Sequence, residues 1–434
     1  MAAKEIFLTA FYFVLFNLLI FRFKIFQFKN YKPLVTHVLF NLKFVVGIFI
    51  WFIYTFYYKD VQNNDVHKFY NDALILRHTA NENPKAFFQL LIGKEDETTV
   101  PFTSQMKNWE RNFDEAPVNE NKTIIRINVL LMFVSFKTYF VHILFMCFIS
   151  LFGFILITNA ILSFTDVKNS LLAIPVLVLP SVLFWTSGVM KEPVLILGLG
   201  LFVYGVTNYR TRSSLAALFA GALLILFTKF FVLACLLPAT IAFLLFRKRE
   251  TPTFILVKYV FVNLVLLLLA FNIRYIVPKI NLQQMLINKQ THSVKEAEYF
   301  KAGSRIEIPE LKDDALNIFK TSCVGVWNTI TRPYIWEAKN IMMMASAAEN
   351  FFIIPFLIMC IAFRNRKQYT HLNLFFFLLT VSLAYFAIIG VCTPVLGNLV
   401  RYKAPLLVLF LFAFIVRVNP KYIPVSLDFL LRKG

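Results

Sequence analysis

Long apolar runs recur along most of this chain, and they limit its fold more than any other feature of the sequence. A helix that crosses a lipid bilayer needs about 20 consecutive, mostly apolar residues. Of the 434 residues, 59% are hydrophobic and 16% are charged, whereas soluble proteins have about 45–50% apolar and about 25% charged residues. The sequence therefore predicts an all-α fold, a polytopic bundle of transmembrane helices.

The apolar runs together predict eleven crossings of the membrane. The run 214–246 is too long for one crossing and is interrupted by Lys229 and Pro238, so it predicts a hairpin of two short helices. A shorter apolar piece, 124–134, precedes the third span. The other predicted spans are 6–20, 34–58, 139–161, 171–185, 193–206, 253–271, 351–363, 372–391 and 399–416.

Basic residues cluster between these runs, as the positive-inside rule expects of cytoplasmic loops. With eleven crossings, the basic clusters all fall on the same side of the membrane. They are 22–32, Lys168, 210–212, 247–249, 364–367 and 417–433. This arrangement predicts an outer N-terminus and a cytoplasmic C-terminus. The polar segments 59–122 and 272–349 then lie outside, with eleven and eight of the 24 acidic residues.

The predicted organisation has five parts, and both outer loops are expected to contain amphipathic helices. The parts are the first two spans (1–58), an outer loop with juxtamembrane helices (59–138), a central bundle (139–271), a second outer loop (272–349), and the last three spans with the cytoplasmic tail (350–434). The five cysteines show no CxxC spacing, which indicates packing residues. The sequence has no Walker, GxGxxG, HExxH or GxSxG motif. It therefore gives no support to ATP-driven transport, dinucleotide binding, zincin chemistry or a serine nucleophile elbow.

A net charge of +20 would suggest nucleic acid as the partner of a soluble protein. Here the positive residues flank apolar runs rather than form a solvent-facing stripe, so nucleic acid is not an expected partner. The expected partner of these residues is the lipid bilayer with its anionic headgroups.

Ionisable residues at the membrane edge are the candidate functional residues, because such groups are costly there and usually serve a function. Asp65 follows the second span and could take a proton from an acceptor hydroxyl, while His67 could assist it or bind a metal. Asp65 is equally well placed to cap the helix that follows it. The two interpretations are compatible, and both remain open.

Two further candidates come from predicted turns on the outer side. Lys191 and Glu192 form a charged pair before Pro193, which suits either a loop that contacts phosphate or sugar or a solvated turn with a capping acid. Lys229 lies at the tip of the predicted hairpin. A cation there suits a lipid-linked pyrophosphate, although a long side chain that reaches the interface explains it equally well.

The remaining candidates are arginines and their neighbours. Arg332 could grip a phosphate with two N–H groups, and Glu337 is a further candidate for substrate binding. The aromatic residues between them could stack on a sugar or lie in the interface as part of an amphipathic helix. Arg401, followed by Tyr402, lies on the outer side against the positive-inside trend, which favours an anionic partner. Arg126 breaks the same trend.

Four of these stretches give the chain a resemblance to a known group. They are Asp65 with the aromatic Tyr70, Pro-Ser-x-x-x-Trp-x-Ser/Thr-Gly with Lys-Glu over 180–192, Arg-Pro-Tyr from Arg332, and Arg401–Tyr402. The chain resembles the polytopic bacterial enzymes of surface-glycan assembly. These are GT-C-fold glycosyltransferases that use polyprenyl-phosphate-linked sugars, and the O-antigen-polymerase-like proteins related to them.

The resemblance implies an enzyme of the bacterial cytoplasmic membrane that moves a sugar from a polyprenyl-linked donor to a glycan or lipid-linked acceptor on the outer face. It implies that Asp65 is the catalytic base, and that Lys191, Arg332 and Arg401 grip the donor phosphates. The resemblance does not specify a cofactor, and a divalent cation, Mg²⁺ or Mn²⁺, is compatible with this chemistry. Partners in a glycan-assembly complex are also implied.

Three alternatives stay open at this stage. A polysaccharide polymerase would join whole lipid-linked repeat units and would need two phosphate grips, for which Arg332 and Arg401 are available. A flippase or transporter of lipid-linked sugars would bind the same phosphate without needing Asp65. A non-catalytic membrane scaffold would need none of the candidate residues.

Overall fold

The structure is a computed structural model, and it describes residues 3–58, 64–110, 118–245, 251–277, 281–365 and 371–432. Regular structure in these ranges is helical, with three isolated bridges between short extended pieces, which confirms the all-α prediction. The α-helices of these ranges are α1 (Ala3–Arg22), α2 (Pro33–Phe52), α3 (Asp65–Glu82), α4 (Pro84–Ile92), α5 (Val100–Thr103), α6 (Glu120–Ser135), α7 (Tyr139–Leu162), α8 (Ala173–Leu177), α9 (Pro180–Trp185), α10 (Lys191–Thr207), α11 (Arg212–Thr228), α12 (Phe230–Leu244), α13 (Pro252–Ile276), α14 (Leu282–Tyr299), α15 (Ala315–Thr331), α16 (Ile341–Ala362), α17 (Leu372–Cys392) and α18 (Leu396–Ile415).

Seven helices within the described residues are long and apolar enough to cross a membrane. They differ in how far the rest of the bundle covers them: α18 is 83% buried, whereas α13 is 22% buried and α1 is 11% buried. The α18 helix is therefore central, whereas α13 and α1 lie at the rim with apolar faces suited to lipid. The seven segments are Ala3–Arg22, Pro33–Tyr57, Tyr139–Leu162, Pro252–Tyr275, Ile341–Ala362, Leu372–Cys392 and Leu396–Ile415.

The two ends of the bundle can be named from contacts of α18. Near its beginning, Arg401 binds Asp65 and Glu192, and we call this the site end. Near its last turn, Asn169 donates hydrogen bonds to the carbonyls of Ile415 and Val418, and we call this the opposite end. The 20 residues of α18 separate the two ends by about 30 Å at 1.5 Å per residue.

Basic segments that the sequence placed on one side lie together at the opposite end. The backbone N–H of Arg432 donates to the carbonyl of Asn30 at 3.0 Å, and Lys168 Nζ lies 3.9 Å from a carboxylate oxygen of Asp428. These contacts join the turn after α1, the segment after α7 and the C-terminal tail. The predicted basic residues 247–249, 366–367 and 433 lie outside the described residues.

The predicted span 171–185 is not one helix. It folds as a 3-10 turn (Val167–Leu172), then α8, then α9, with a break before Pro180. A proline disfavours helical geometry in the residue before it, and Leu179 is accordingly extended, with φ −52° and ψ 134°. Because Asn169 lies at the opposite end and Glu192 at the site end, this broken segment still runs the length of the bundle.

The predicted hairpin in 214–246 is confirmed. One helix ends at Thr228 and the next begins at Phe230, while Lys229 between them is extended, with φ −158° and ψ 84°. The second helix returns to the opposite end, where Asn373 Nδ2 donates to the carbonyl of Phe243 at 3.2 Å. The predicted break at Pro238 is absent, because α12 continues through this residue.

Much of the polar segment 272–349 is helical. It contains α14 and α15, and α16 begins at Ile341 instead of at the predicted position 351. The α15 helix packs along α17, where Thr329 Oγ1 donates to the carbonyl of Phe386 at 3.0 Å. Trp327 on its other side is 63% exposed. The helix is therefore amphipathic, as predicted for this segment.

A cation-lined cavity at the site end

A cavity of about 640 Å³ opens at the site end. Its walls come from α3, the segment before α6, α14, and the beginnings of α10 and α18. Four acidic residues also line it, so the positive side chains are in excess. The six cations of the lining are Lys68, Lys107, Lys191, Lys229, Lys289 and Arg401.

Arg401 is the centre of an ion-pair network between α18, α10 and α3. Its Nε donates to Glu192 Oε1 at 2.6 Å, and a terminal nitrogen lies 3.1 Å from Glu192 Oε2. The other terminal nitrogen pairs with Asp65 Oδ2. Beneath the guanidinium, the ring centre of Trp185 lies 5.4 Å away. The arginine is therefore fixed in direction, with its fork shared between two carboxylates.

Asp65 is held by cations on both carboxylate oxygens. Oδ1 pairs with Lys68 one turn along α3, and Oδ2 pairs with Arg401. Burial alone would raise its pKa, but Arg401, Lys68 and Lys191 together hold the pKa well below its ordinary value. The cap of α3 is Asn64, whose side chain accepts from the N–H of His67, so Asp65 is free of the capping role that the sequence allowed.

Lys191 joins α10 to α6. Its Nζ donates to Asn121 Oδ1 at 2.8 Å and lies 3.3 Å from Glu120 Oε2. The same nitrogen lies 5.2 Å from the ring centre of Phe69 on α3. The Lys191–Glu192 pair therefore points to two different partners, one on each side of the α10 N-terminus, and both members have ionic partners inside the protein.

Lys229 forms the floor of the cavity. Its Nζ lies 3.6 Å from the ring centre of Tyr402 and 3.5 Å from the hydroxyl of Tyr385. These tyrosines belong to α18 and α17, well inside the ends of both helices. The hairpin break therefore brings a cation into the cavity lining, against the ring of Tyr402 and near the hydroxyl of Tyr385.

One wall of the cavity escaped the sequence prediction. Lys289, His292, Ser293 and Glu296 recur along α14 at positions that share one helix face, and all four line the cavity. An adjacent side of the helix is fixed by Gln290, which is 5% exposed. Its Nε2 donates to the carbonyls of Pro309 and Val391, at 2.9 and 2.7 Å, and its Oε1 accepts from the N–H of Leu311 at 2.8 Å.

The rim beside α3 is held by a second acid. Asp72 Oδ2 accepts from the N–H of Asn108 at 2.8 Å, which sets the position of Asn108 and Lys107 on the cavity wall. Burial raises the pKa of Asp72, and hydrogen bonds from Asn108 act in the other direction.

Five predicted site residues lie outside the cavity lining, namely His67, Arg126, Glu192, Arg332 and Glu337. Glu192 is 1% exposed and reaches the lining through its ion pair with Arg401. His67 is close to Asp65 in sequence but lies on another side of α3, where its Nε2 is 3.0 Å from the hydroxyl of Thr55. Arg126 Nε donates to the carbonyl of Leu90 at 2.8 Å and ties α6 to α4. Arg332 pairs with Glu337 at 3.3 Å, in the turn between α15 and α16.

The Arg332 turn packs on a different side of α18 from the cavity. Lys403, two residues beyond Arg401, donates to the carbonyl of Arg332 at 3.2 Å and to Asn350 Oδ1 at 2.8 Å. The neighbouring Glu349 accepts two hydrogen bonds of 2.6 Å from Ser181 at the start of α9. Residues two apart on a helix point about 200° away from each other. The last helix therefore carries cations on opposite faces, and only the Arg401 face lines the cavity.

Within the described residues, no group of three or more His, Cys, Asp or Glu side chains is arranged to hold a metal ion. The chain matches no family model, and no curated protein or solved structure matches it. The cavity must therefore be interpreted from its own chemistry.

Proposed function

We propose that the protein is a membrane glycosyltransferase that takes its sugar from a polyprenyl-phosphate-linked donor. The observation that carries the proposal is the excess of cations around one cavity whose floor lies inside the helix bundle. A volume of about 640 Å³ falls within the range of small-molecule sites, about 300–1,000 Å³. The cavity therefore has room for a sugar and its phosphate, while rim helices with apolar faces border the lipid that would hold the polyprenyl chain.

In this proposal the chain crosses the membrane eleven times, with the site end outside and the opposite end in the cytoplasm of a bacterial cell. The basic segments of the opposite end support this orientation by the positive-inside rule. Segments too short to be counted as spans by length supply the remaining crossings, namely the broken segment 167–190 and the helices α10, α11 and α12.

The cations would hold the phosphate and stabilise the charge that develops on it. Charge-assisted hydrogen bonds from fixed donors are among the largest contributions to such catalysis. Arg401 and Lys229 approach from the bundle, and Lys68 and Lys191 from the outer helices. The acceptor hydroxyl attacks the anomeric carbon, the bond from that carbon to the phosphate oxygen breaks, and the electron pair leaves with the polyprenyl phosphate.

Asp65 has two roles in this scheme. Paired on both oxygens and with a lowered pKa, it binds protons weakly and primarily aligns Arg401 and Lys68. A phosphate that takes over these two cations removes the charges that lower the pKa of the carboxylate. Asp65 then becomes a better base for the proton of the acceptor hydroxyl.

The α14 wall suits the acceptor. His292, Ser293 and Glu296 offer hydrogen-bond donors and acceptors to sugar hydroxyls, on a helix that Gln290 holds in place. The cations and the α14 wall thus divide the cavity into a phosphate side and a hydroxyl side.

A polysaccharide polymerase is the second candidate. It is favoured by Arg332, which belongs to a separate polar cluster on another face of α18 and would serve as a second phosphate grip. A flippase for lipid-linked sugars remains the alternative from another class. It would use the cavity cations but would not need a base.

The test uses purified protein in nanodiscs with decaprenyl-phospho-hexoses as donors and octyl glycosides or lipid-linked oligosaccharides as acceptors, and mass spectrometry of the products. Transfer of one sugar supports the transferase, and a ladder of repeat units supports the polymerase. Binding of decaprenyl phosphate without any transfer overturns both enzymes and favours the flippase.

The key variant is Arg401→Lys, which keeps the charge and loses the fork that Glu192 and Asp65 share. We expect transfer to fall at least tenfold. The matched control is Lys421→Gln, which removes an exposed cation at the opposite end and should leave transfer unchanged. Equal effects of the two variants would contradict a specific role for the cavity.

A further inference from the structure

A buried lysine lies in the second membrane helix, away from the cavity lining. Lys43 is 1% exposed, and its Nζ donates to the carbonyl of Thr186 at 2.9 Å and to the hydroxyl of Thr186 at 2.7 Å. Both partners are neutral. An ionisable group inside a membrane is costly, and its presence there points by default to a function.

The partner of Lys43 belongs to the turn between α9 and α10. The carbonyl of Thr186 also accepts from Ser150 Oγ of α7 at 2.7 Å. The next carbonyl, that of Ser187, accepts from Cys147 Sγ at 3.3 Å. The turn is therefore attached to α2 and α7 through consecutive carbonyl groups that the broken segment leaves outside regular helix hydrogen bonding.

A glycine lets this turn lie directly on α2. A Cβ atom at Gly47, one turn after Lys43, would lie 2.7 Å from the carbonyl oxygen of Ser187, closer than real contacts allow. The close approach at Gly47 and the hydrogen bonds of Lys43 both involve the loop between α9 and α10. Two successive helical turns of α2 therefore fix the position of this loop.

This turn carries the groups that shape the phosphate side of the cavity. Trp185, just before it, lies under the Arg401 guanidinium. Just after it, Lys191 binds Asn121, and Glu192 holds two nitrogens of Arg401. A shift of the turn therefore moves the partners of Arg401 on both sides.

We infer that Lys43 is a positioning residue that locks the 186–190 turn and thereby sets the direction of Arg401 in the cavity. The inference rests on the proposed function for the meaning of that cavity. A misplacement of about 1 Å at a catalytic group can cost about 100-fold in rate. Lys43 thus acts on transfer through Glu192 and Trp185, without touching the substrate.

Measurements of thermal stability distinguish this positioning role from a purely structural one. Methionine has a similar length and no charge to bury, so Lys43→Met should fold with unchanged or higher thermal stability. The positioning role predicts that the same variant loses about 100-fold in kcat, or about tenfold in affinity for decaprenyl phosphate. Lys43→Arg keeps donors for the Thr186 carbonyl and should recover at least part of the loss.

The matched control is Lys258→Met. Lys258 is a second buried membrane lysine, 8% exposed, but its Nζ binds Asn373 at the opposite end. We expect this variant to bind decaprenyl phosphate and transfer sugar like the native protein.

Measured on full-length protein in nanodiscs, the series gives distinct outcomes. Lys43→Met with native kcat and native affinity overturns the inference, as does an equal loss in Lys258→Met. If the native protein binds decaprenyl phosphate but transfers no sugar, the proposed function fails. The binding measurements on Lys43→Met still decide whether Lys43 positions the cation cluster.

Discussion

At the scale of single residues, the cavity depends on charges that compensate one another. Arg401 would be very costly in a membrane bundle without the two carboxylates that share its fork. Asp65 in turn is ionised because cations face both of its oxygens. An anionic ligand would bind Arg401 by replacing one of its carboxylate partners. Stronger ion pairs within the protein would therefore lower the affinity for that ligand.

The lowered pKa of Asp65 gives a prediction for stability against pH. An unfolded aspartate titrates near pH 3.9, whereas the folded carboxylate stays charged to lower pH. The stabilisation that comes from the ionised Asp65 is therefore complete above about pH 5 and is lost as the pH falls from there toward the folded pKa. The difference in thermal stability between native protein and Asp65→Asn should be constant from pH 8 to pH 5 and shrink below about pH 4.

Thermal unfolding in nanodiscs across this pH range measures the effect. Glu97→Gln is the control, because it removes an exposed acid between α4 and α5, in the same polar segment. A difference between native protein and Asp65→Asn that grows on acidification would mean that Asp65 is not held as a carboxylate.

At the scale of elements, small residues let the central helices approach closely. Membrane helices associate through packing, and glycine lets their backbones touch. A Cβ atom at Gly200 of α10 would lie 2.5 Å from the carbonyl oxygen of Gly153 on α7. Since α10 begins with Lys191 and Glu192, this crossing also supports the cavity.

We predict that Gly200→Ala pushes α10 away from α7 and lowers the free energy of unfolding by about 1–3 kcal/mol, the usual range for overpacking. It should also weaken decaprenyl phosphate binding, because Glu192 moves with the helix. Gly397→Ala is the control, since a Cβ atom there meets open space at the start of α18. Denaturant titration and lipid binding measure both effects, and equal stability of the two variants would contradict the packing argument.

At the scale of the whole molecule, charge and chemistry are separated along the bundle axis. The opposite end carries basic segments joined to one another, and the site end carries the cavity and the polar helices α3 and α14. With the site end outside, polyprenyl-linked sugars that have already crossed the membrane would reach the cavity.

Labelling tests this orientation in intact cells of a bacterial host. Cysteines are placed at Lys295, an exposed residue of α14, and at Lys421, an exposed residue of the opposite end, after removal of the exposed Cys323. A membrane-impermeant maleimide should label position 295 in intact cells and position 421 only after permeabilisation. The reverse pattern would place the cavity in the cytoplasm.

Several features of this protein were predictable because they are local along the chain. The length of an apolar run predicts a membrane helix without knowledge of its neighbours, and the confirmed hairpin at Lys229 follows from a charged break in such a run. The same reasoning failed at 171–185, where Pro180 breaks the helix although hydropathy stays high.

The pattern of apolar runs was enough to predict an all-α membrane protein, and it made Asp65, Glu192, Lys191, Lys229 and Arg401 stand out as unusual charges. Which of these charges meet depends on how the helices pack. Asp65 and Arg401 are 336 residues apart, and helices that are apolar on all sides give no pattern from which their rotation could be predicted. The same cause hid Lys43 and the α14 wall, since the partners of a buried charge are set by how helices turn toward one another.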